Sequence, residues 1–124
     1  MAGKYAATLL AFLEGWRRFD LEAVLGFLTE DAVFEPDLKG SRHAGKPAIR
    51  AIWGEYMGMM RSYDYELLGL LEGDKMAMLE RIEIVGSGRG GELRLPITGV
   101  FHFDDAGKIT LWRDYWDTSM APSH

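Results

Sequence analysis

The sequence predicts an α+β fold, with three helices in the first half of the chain and four strands in the second. In most of residues 5–61, apolar side chains recur every three to four positions, the spacing of helices with one buried face. From residue 63 onward that spacing stops, and extended segments joined by short turns follow. Four consecutive strands joined by turns form an antiparallel meander, and the helices must cover one of its faces.

Each helix is predicted from an apolar stripe or from a typical first residue. The first runs from about Tyr5 to Phe19, and its stripe consists of Leu9, Phe12, Leu13 and Trp16. Asp20 can cap a second, shorter helix that carries Leu21, Val24, Leu25 and Leu28. Pro47 suits the first turn of a third helix ending near Arg61, with a stripe of Ile49, Ile52, Trp53, Tyr56 and Met60.

Turn residues divide the rest of the chain into extended segments. Before the third helix, a short extended piece at residues 32–35 ends at Pro36, and a polar loop follows to Gly45. The four strands after it are predicted at residues 63–72, 75–85, 92–103 and 108–117. Their connections are a turn at Gly73-Asp74, a glycine-dense loop at residues 86–91 and a turn at residues 104–107. We expect the tail from Thr118 onward to be loose.

Length, charge and cysteine content exclude several classes of protein. The 124 residues give one domain, residues 1–124, with no room for a second. The formal net charge of -5 argues against a nucleic-acid partner, because phosphate binding needs a basic face. Without cysteine the chain has no disulfide, thiolate nucleophile or cysteine-ligated zinc. No run of about 18 apolar residues occurs, so we expect a cytoplasmic protein without a membrane partner.

Two of the predicted strands carry charged residues within otherwise apolar segments. Side chains alternate along a strand, so Arg81 and Glu83 share one face, and Asp114 shares a face with Trp112 and Trp116. We expect these faces to point inward, because arginine and glutamate are natural partners and an aspartate between two tryptophans is hard to explain at a surface. A buried charge is costly unless it is paired. The cluster is therefore either a structural ion network or a catalytic acid/base set.

The strand half of the chain resembles a known family of enzymes. The resemblance rests on Glu80-Arg81-Ile82-Glu83, Gly99-Val100-Phe101, Gly107-Lys108-Ile109 and the run from Trp112 to Asp117. A looser match covers residues 31–34 and 45–49. This pattern resembles limonene-1,2-epoxide hydrolases, members of the nuclear-transport-factor-like or SnoaL-like superfamily.

The resemblance implies an architecture and an activity. The fold would be a cone-shaped, curved antiparallel sheet, mixed at its edge, whose three N-terminal helices enclose an apolar pocket. Two copies would form a homodimer through the outer sheet face. The activity would be a one-step hydrolysis of a small apolar epoxide without metal or cofactor. We expect the pocket to be lined by Trp16, Phe34, Tyr56, Met60, Val85, Ile97, Trp112 and Trp116.

The resemblance also implies a role for each charged residue. Asp114 would take a proton from water, Glu83 would protonate the epoxide oxygen, and Arg81 would bridge the two carboxylates. The chain departs from the family pattern in two places. Glu83 replaces an aspartate, and Phe34 and Pro36 replace the tyrosine and asparagine that hold the attacking water. Glu35, Asp37 and Tyr56 are candidates to replace those hydrogen bonds.

Two other functions are compatible with the same residues. One is a SnoaL-like cyclase or a ketosteroid-isomerase-like enzyme, in which Asp114 removes a carbon-bound proton. The other is a non-catalytic binder of small hydrophobic molecules, which the apolar Phe34 and Pro36 favour. Fold similarity does not choose among these functions, because such superfamilies host many activities.

Overall fold

Three helices cover a six-stranded sheet in the computed structural model, which describes residues 3–88 and 90–121. The helices are α1 (Lys4–Arg17), α2 (Leu21–Leu25) and α3 (Lys46–Met59). The strands are β1 (Leu28–Glu35), β2 (His43–Ala44), β3 (Met60–Gly73), β4 (Met76–Ser87), β5 (Glu92–Phe103) and β6 (Ile109–Trp116). The predicted α+β fold is confirmed.

The sheet is curved and open, with the strand order β2-β1-β6-β5-β4-β3. Strands β3 to β6 form the predicted antiparallel meander. At the other end β1 pairs parallel to β6, and β2 pairs antiparallel to β1. The sheet is therefore mixed at this end, as expected. Because β1 joins β6 directly, the first short strand and the last strand stand side by side.

Several element boundaries differ from the predicted ones. Strand β1 begins at Leu28, four residues before the predicted extended piece, and β2 lies within the predicted polar loop. Helix α3 ends at Met59, so Met60 belongs to β3. The tight turn after β3 is formed by Asp74 and Lys75, the latter with a φ of 53°, rather than by Gly73 and Asp74.

The end of the chain is partly ordered rather than loose. Residues Thr118–Met120 form a single 3-10 turn. The Asp117 side chain caps this turn by accepting a hydrogen bond from the backbone N–H of Ser119 at 3.0 Å. Residues 122–124 of the predicted loose tail lie outside the described residues.

A bulge in β3 decides which of its side chains face inward. Near the β3–β4 turn, Leu70 pairs with Leu79, whereas farther along Leu67 pairs with Arg81. The extra residue, Leu68, shifts the alternation by one position. As a result, Tyr63 lies on the same face as Glu83, where an unbroken strand would have placed it on the outer face.

The core lies between the helices and the concave face of the sheet. The α1 stripe predicted from the sequence is buried, with Leu9, Phe12 and Leu13 fully enclosed. Phe12 packs edge-on against Trp112 at 5.3 Å between ring centroids, which joins α1 to β6. This packing holds α1 against the inner face of the sheet.

Candidate active site

A cavity of about 230 Å³ opens between the helices and the inner sheet face. Its wall consists of Trp16, Phe34, Pro36, Tyr56, Met59, Met60, Tyr63, Glu83, Leu95, Ile97, Trp112, Asp114 and Trp116. Met59 is 62% exposed and marks the rim. The lining is apolar apart from two carboxylates and a few polar groups on aromatic rings. This is the composition of a site for a small organic molecule.

Seven of the eight side chains expected in the pocket wall lie there. The exception is Val85, which is partly buried and packs against the hydrophobic core instead. Val85 is paired with Tyr63 across the β3–β4 ladder, and the larger Tyr63 forms the wall at this level. Besides Glu83 and Asp114, the lining includes four residues that were not expected at the site, which are Pro36, Met59, Tyr63 and Leu95.

Arg81, Glu83 and Asp114 come together at the base of the cavity. The guanidinium of Arg81 is fully buried. Its Nη2 donates to Glu83 Oε2 at 2.8 Å and to Asp114 Oδ2 at 3.3 Å. Both carboxylates belong to the pocket wall, whereas Arg81 lies behind them. The three groups thus form one ion cluster with its acidic side toward the cavity.

The missing side chain of Gly99 makes this cluster possible. Arg81 is on β4 and Asp114 is on β6, so their side chains must meet across β5. Gly99 pairs with Asp114 on the intervening strand, and a Cβ there would lie 3.0 Å from Asp114 Oδ1 and 3.2 Å from Trp112 Nε1. A larger residue would occupy the space through which the Asp114 carboxylate reaches Arg81.

Asp114 is held in an environment that favours its protonated form. Its Oδ1 accepts a hydrogen bond from Trp112 Nε1 at 2.7 Å. Burial raises the pKa of Asp114 to about 6, because the favourable charge of Arg81 only partly offsets the desolvation and the repulsion from Glu83. At neutral pH the group is mostly ionised and can accept a proton, as a general base must.

Glu83 is anchored through one of its two oxygens. Oε2 accepts from Arg81 Nε at 3.2 Å, from Arg81 Nη2 at 2.8 Å and from the Tyr63 hydroxyl at 3.0 Å. Within the described part of the chain, Oε1 accepts no hydrogen bond. One oxygen is therefore saturated and the other is available to a ligand or a proton.

The part of the cavity wall next to β6 is mostly apolar. Phe34 and Pro36 of the β1 region line it, where the family pattern has hydrogen-bonding side chains. Glu35 points away, since it pairs with Arg113 on the neighbouring strand. Asp37 is not in the wall and bonds within its own loop to Lys39 and Ser41.

Tyr56 is the remaining polar candidate in this wall. Its ring lines the cavity, and no described residue hydrogen-bonds to its hydroxyl. Burial raises the pKa of Tyr56 to about 12, and the charges of Asp37, Asp114 and Glu83 add to the shift. The phenol therefore stays neutral and can donate a hydrogen bond into the cavity.

Tyr63 was not expected at the site, and the β3 bulge is the reason. With regular alternation from the turn, Tyr63 would face outward with Ile82 and Ile84. The only available signal was Gly69 inside an apolar strand, since such glycines often mark bulges.

Two further observations limit the chemistry of the described residues. In residues 3–88 and 90–121, no three His, Asp or Glu side chains come together in a way that could hold a metal ion. None of the helices in that part of the chain is long and apolar enough to cross a membrane.

Comparisons with solved structures give several close matches in fold. An LEH-like epoxide hydrolase of M. tuberculosis is 26% identical, with a TM-score of 0.78 over 91% of this chain and 82% of that chain. An NTF2-like protein of unknown function from Burkholderia pseudomallei is 18% identical, with a TM-score of 0.84 over 95% of this chain and 94% of that chain.

A third solved structure is SalBIII, an epoxide hydrolase/cyclase-like enzyme with a role in pyran ring formation in the polyether salinomycin. It is 18% identical, with a TM-score of 0.83 over 94% of this chain and 92% of that chain. No curated protein sequence matches this chain. The family model for the SnoaL-like domain matches residues 9–112, which include α1 from Leu9 onward, α2, α3, β1 to β5 and the first half of β6. The superfamily inferred from the sequence motifs is confirmed, and the chain belongs to the SnoaL-like domain family.

Proposed function

We propose that this protein is a cofactor-independent epoxide hydrolase that adds water to a small apolar epoxide. One observation carries the proposal: two carboxylates from different strands share one buried guanidinium and both face an apolar cavity. Opening an epoxide needs a base for the nucleophile and an acid for the departing oxygen, and the two carboxylates supply one of each. The solved epoxide hydrolase of similar fold supports the same reaction class.

In the proposed reaction, Asp114 and Glu83 act in one step on opposite sides of the epoxide. Asp114 removes a proton from water while the water oxygen forms a bond to an epoxide carbon. The bond between that carbon and the ring oxygen breaks, and Glu83 gives its proton to the oxygen. Arg81 stays charged throughout, because the two carboxylates outweigh the effect of burial and raise its pKa further. The product is a vicinal diol, and the proton returns from Asp114 to Glu83 through solvent.

The cavity favours a neutral substrate of limited size. A cavity of about 150 Å³ can hold benzene, so 230 Å³ corresponds to roughly nine or ten non-hydrogen atoms. No lysine, arginine or histidine belongs to the described wall, and the exposed side of the ion cluster is acidic. We therefore expect neutral cyclic or aromatic epoxides to bind and anionic ones to be rejected.

The proton count of the site predicts how activity depends on pH. The active form has one proton on the Asp114–Glu83 pair, and the raised pKa of Asp114, about 6, indicates that the pair keeps this proton below that pH. We expect kcat/KM to fall as pH rises above about 6. A profile that rises through neutral pH would contradict the assignment of the acid.

The decisive experiment measures diol formation from limonene oxide, cyclohexene oxide and styrene oxide in ¹⁸O-labelled water. We expect Asp114→Asn to lower kcat/KM by at least ~10³-fold, since it removes the base. Asp31→Asn, a change at an exposed position of β1, is the matched control. If the wild type forms no diol above background, the proposed reaction is wrong; if Asp114→Asn keeps full activity, the base is another group.

A second reaction is favoured by the apolar Phe34 and Pro36. If nothing in that wall holds water, a hydroxyl of the substrate itself can attack the epoxide, with Asp114 and Glu83 in the same roles. The product would be a cyclic ether, as in the ring formation attributed to SalBIII. A hydroxy-epoxide distinguishes the two reactions, because cyclisation incorporates no ¹⁸O from water. If only exchange of a carbon-bound proton occurs, the site is of the isomerase type; saturable binding without turnover indicates a binder.

We also propose that two copies associate through the outer sheet face, in a cytoplasmic setting. Three apolar side chains on this face are exposed, which are Leu71 (74%), Met78 (44%) and Tyr115 (40%). Multi-angle light scattering would show a dimer for the wild type and a monomer for Met78→Glu. A monomeric wild type at micromolar concentration would contradict this.

A further inference from the structure

Glu83 meets a buried tyrosine that the family pattern does not predict. The Tyr63 hydroxyl donates to Glu83 Oε2 at 3.0 Å, and Tyr63 is only 7% exposed. Its ring lines the cavity and packs against that of Trp16 at 6.2 Å between ring centroids, which restricts its orientation. Burial and the Glu83 charge raise the pKa of Tyr63 well above its ordinary value, so the hydroxyl stays a donor.

Tyr63 and Arg81 donate hydrogen bonds to the same oxygen of Glu83. Their three hydrogen bonds all end on Oε2, which leaves Oε1 without a partner among the described residues. A carboxylic acid carries its proton on one oxygen, and an oxygen that already accepts three hydrogen bonds is a poor site for it. The proton of a protonated Glu83 therefore belongs on Oε1.

We infer that Tyr63 is a positioning residue, which fixes the longer side chain of Glu83 so that Oε1 holds the proton for the epoxide oxygen. A glutamate has one more rotatable bond than the aspartate of the family pattern, and a mobile acid loses rate. A hydroxyl at residue 63 removes this freedom. The bulge at Leu68 brings this hydroxyl to the site, because the bulge turns Tyr63 to the inner face. The inference rests on the proposed function, since it concerns the acid of that reaction.

The test compares Tyr63→Phe with Tyr65→Phe. Both changes remove one hydroxyl from the same strand, but Tyr65 is not in the cavity wall and its hydroxyl hydrogen-bonds to neither carboxylate, although it pairs with Glu83 across the ladder. We expect Tyr63→Phe to lower kcat about tenfold and to leave KM within about twofold. Because Tyr63 stabilises the ionised pair, its loss should also move the fall of kcat/KM to higher pH by about half a unit or more. Tyr65→Phe should change neither quantity.

Two variants separate positioning from damage to the fold. Incorporation of 3-fluorotyrosine at position 63 keeps the shape and makes the hydroxyl a stronger donor, so the pH midpoint should move down instead of up. In a Glu83→Asp background, where the shorter side chain cannot reach both partners, Tyr63→Phe should have little further effect. The inference is overturned if the pH midpoint is the same in wild type, Tyr63→Phe and the fluorinated protein. It is also overturned if Tyr63→Phe lowers kcat by the same factor in the Glu83→Asp background as in the wild type.

A readout without turnover keeps this test separate from the hydrolase proposal. Carbon-13 NMR of carboxyl-labelled Asp and Glu gives the pH at which the Asp114–Glu83 pair loses its last proton, with Asp114→Asn and Glu83→Gln for assignment. If no epoxide reacts but this midpoint rises in Tyr63→Phe, the proposed reaction fails and Tyr63 still acts on the pair. If diol forms but the midpoint is unchanged, Tyr63 has no such role.

Discussion

The two walls of the cavity carry different chemistry. The wall from the meander, which we call the strand wall, contains Tyr63, Glu83 and Asp114, joined through the buried Arg81. The remaining wall, which we call the β1–α3 wall, contains Phe34, Pro36 and Tyr56. One wall is a connected hydrogen-bond network, and the other offers a single phenol. In the proposed reaction, proton transfer therefore depends on the strand wall, whereas the β1–α3 wall offers few groups that could orient the attacking oxygen.

Removal of Arg81 is the strongest way to break the strand wall. We expect Arg81→Met to lower the free energy of unfolding by about 3–5 kcal/mol at pH 7, because the buried Asp114 and the partly buried Glu83 lose their counter-charge. Diol formation should be abolished. Urea denaturation followed by tryptophan fluorescence measures the change. Arg94→Met is the control, since it removes an exposed ion pair with Glu66 and should change stability little. Equal losses of unfolding free energy in both variants would show that the buried cluster stabilises the fold no more than an exposed ion pair does.

The pH dependence of stability tests the burial of Asp114. Its pKa is about 6 in the folded protein and near 3.8 when exposed, so the folded state binds the proton more tightly. The resulting stabilisation is complete below about pH 4 and is lost as pH rises through 6, by about 3 kcal/mol. The difference in unfolding free energy between wild type and Asp114→Asn should therefore change by this amount over that interval. A difference that is constant from pH 4 to 7 would place Asp114 in contact with solvent.

Gly99→Ala tests the gap that joins the two carboxylates. The new methyl group would lie 3.0 Å from Asp114 Oδ1, so the carboxylate must move away from Arg81. We expect kcat/KM to fall by roughly 10- to 100-fold, since small displacements of a catalytic group have such effects. Gly58→Ala, on the exposed side of α3 with no atom within 4 Å, is the control. Unchanged activity in Gly99→Ala would mean that the Asp114–Arg81 contact is dispensable.

A hydroxyl added to the β1–α3 wall should have the smallest effect on the rate of hydrolysis, and this effect should be an increase. Phe34 lines the cavity with its ring 6.3 Å from that of Tyr56. In Phe34→Tyr a second donor could hold the attacking water, and one hydrogen bond of about 1 kcal/mol corresponds to roughly fivefold in rate. Steady-state kinetics with styrene oxide measures it. Faster cyclisation instead of faster hydrolysis would assign the site to an internal nucleophile.

The charged cluster could be predicted from the sequence, because the alternation of side chains between the two faces of a strand depends only on neighbouring residues. Arg81 and Glu83 are two residues apart, and Asp114 lies between two tryptophans, so each inward face followed from its own strand. The motif match then placed the two strands in one site. The long β1 could not be predicted in the same way, because its pairing with β6 joins residues about 80 positions apart and its polar Thr29, Glu30 and Asp31 do not look like a strand.

The roles of Tyr63 and Gly99 depend on register, which the sequence does not show. Gly99 matters because it stands between Asp114 and Leu79 in the ladder, and no local pattern reveals that pairing. Tyr63 turns inward only because of the extra residue at Leu68. A single-residue bulge leaves almost no signal in composition, yet it reverses every side chain beyond it.

That bulge makes the pocket unusually easy to redesign. It lies in β3, the outermost strand of the sheet, where Leu68 is 54% exposed and only one neighbouring strand has to be accommodated. If the bulge were lost and Leu68 took a regular ladder position opposite Arg81, the inner and outer side chains in the first half of β3 would exchange, so that Asp64 and Glu66 would replace Tyr63 and Tyr65 on the inner face. Variants that favour or abolish the bulge at this one position would therefore switch the cavity between two linings, one aromatic and one acidic, while every residue of β4, β5 and β6 keeps its place.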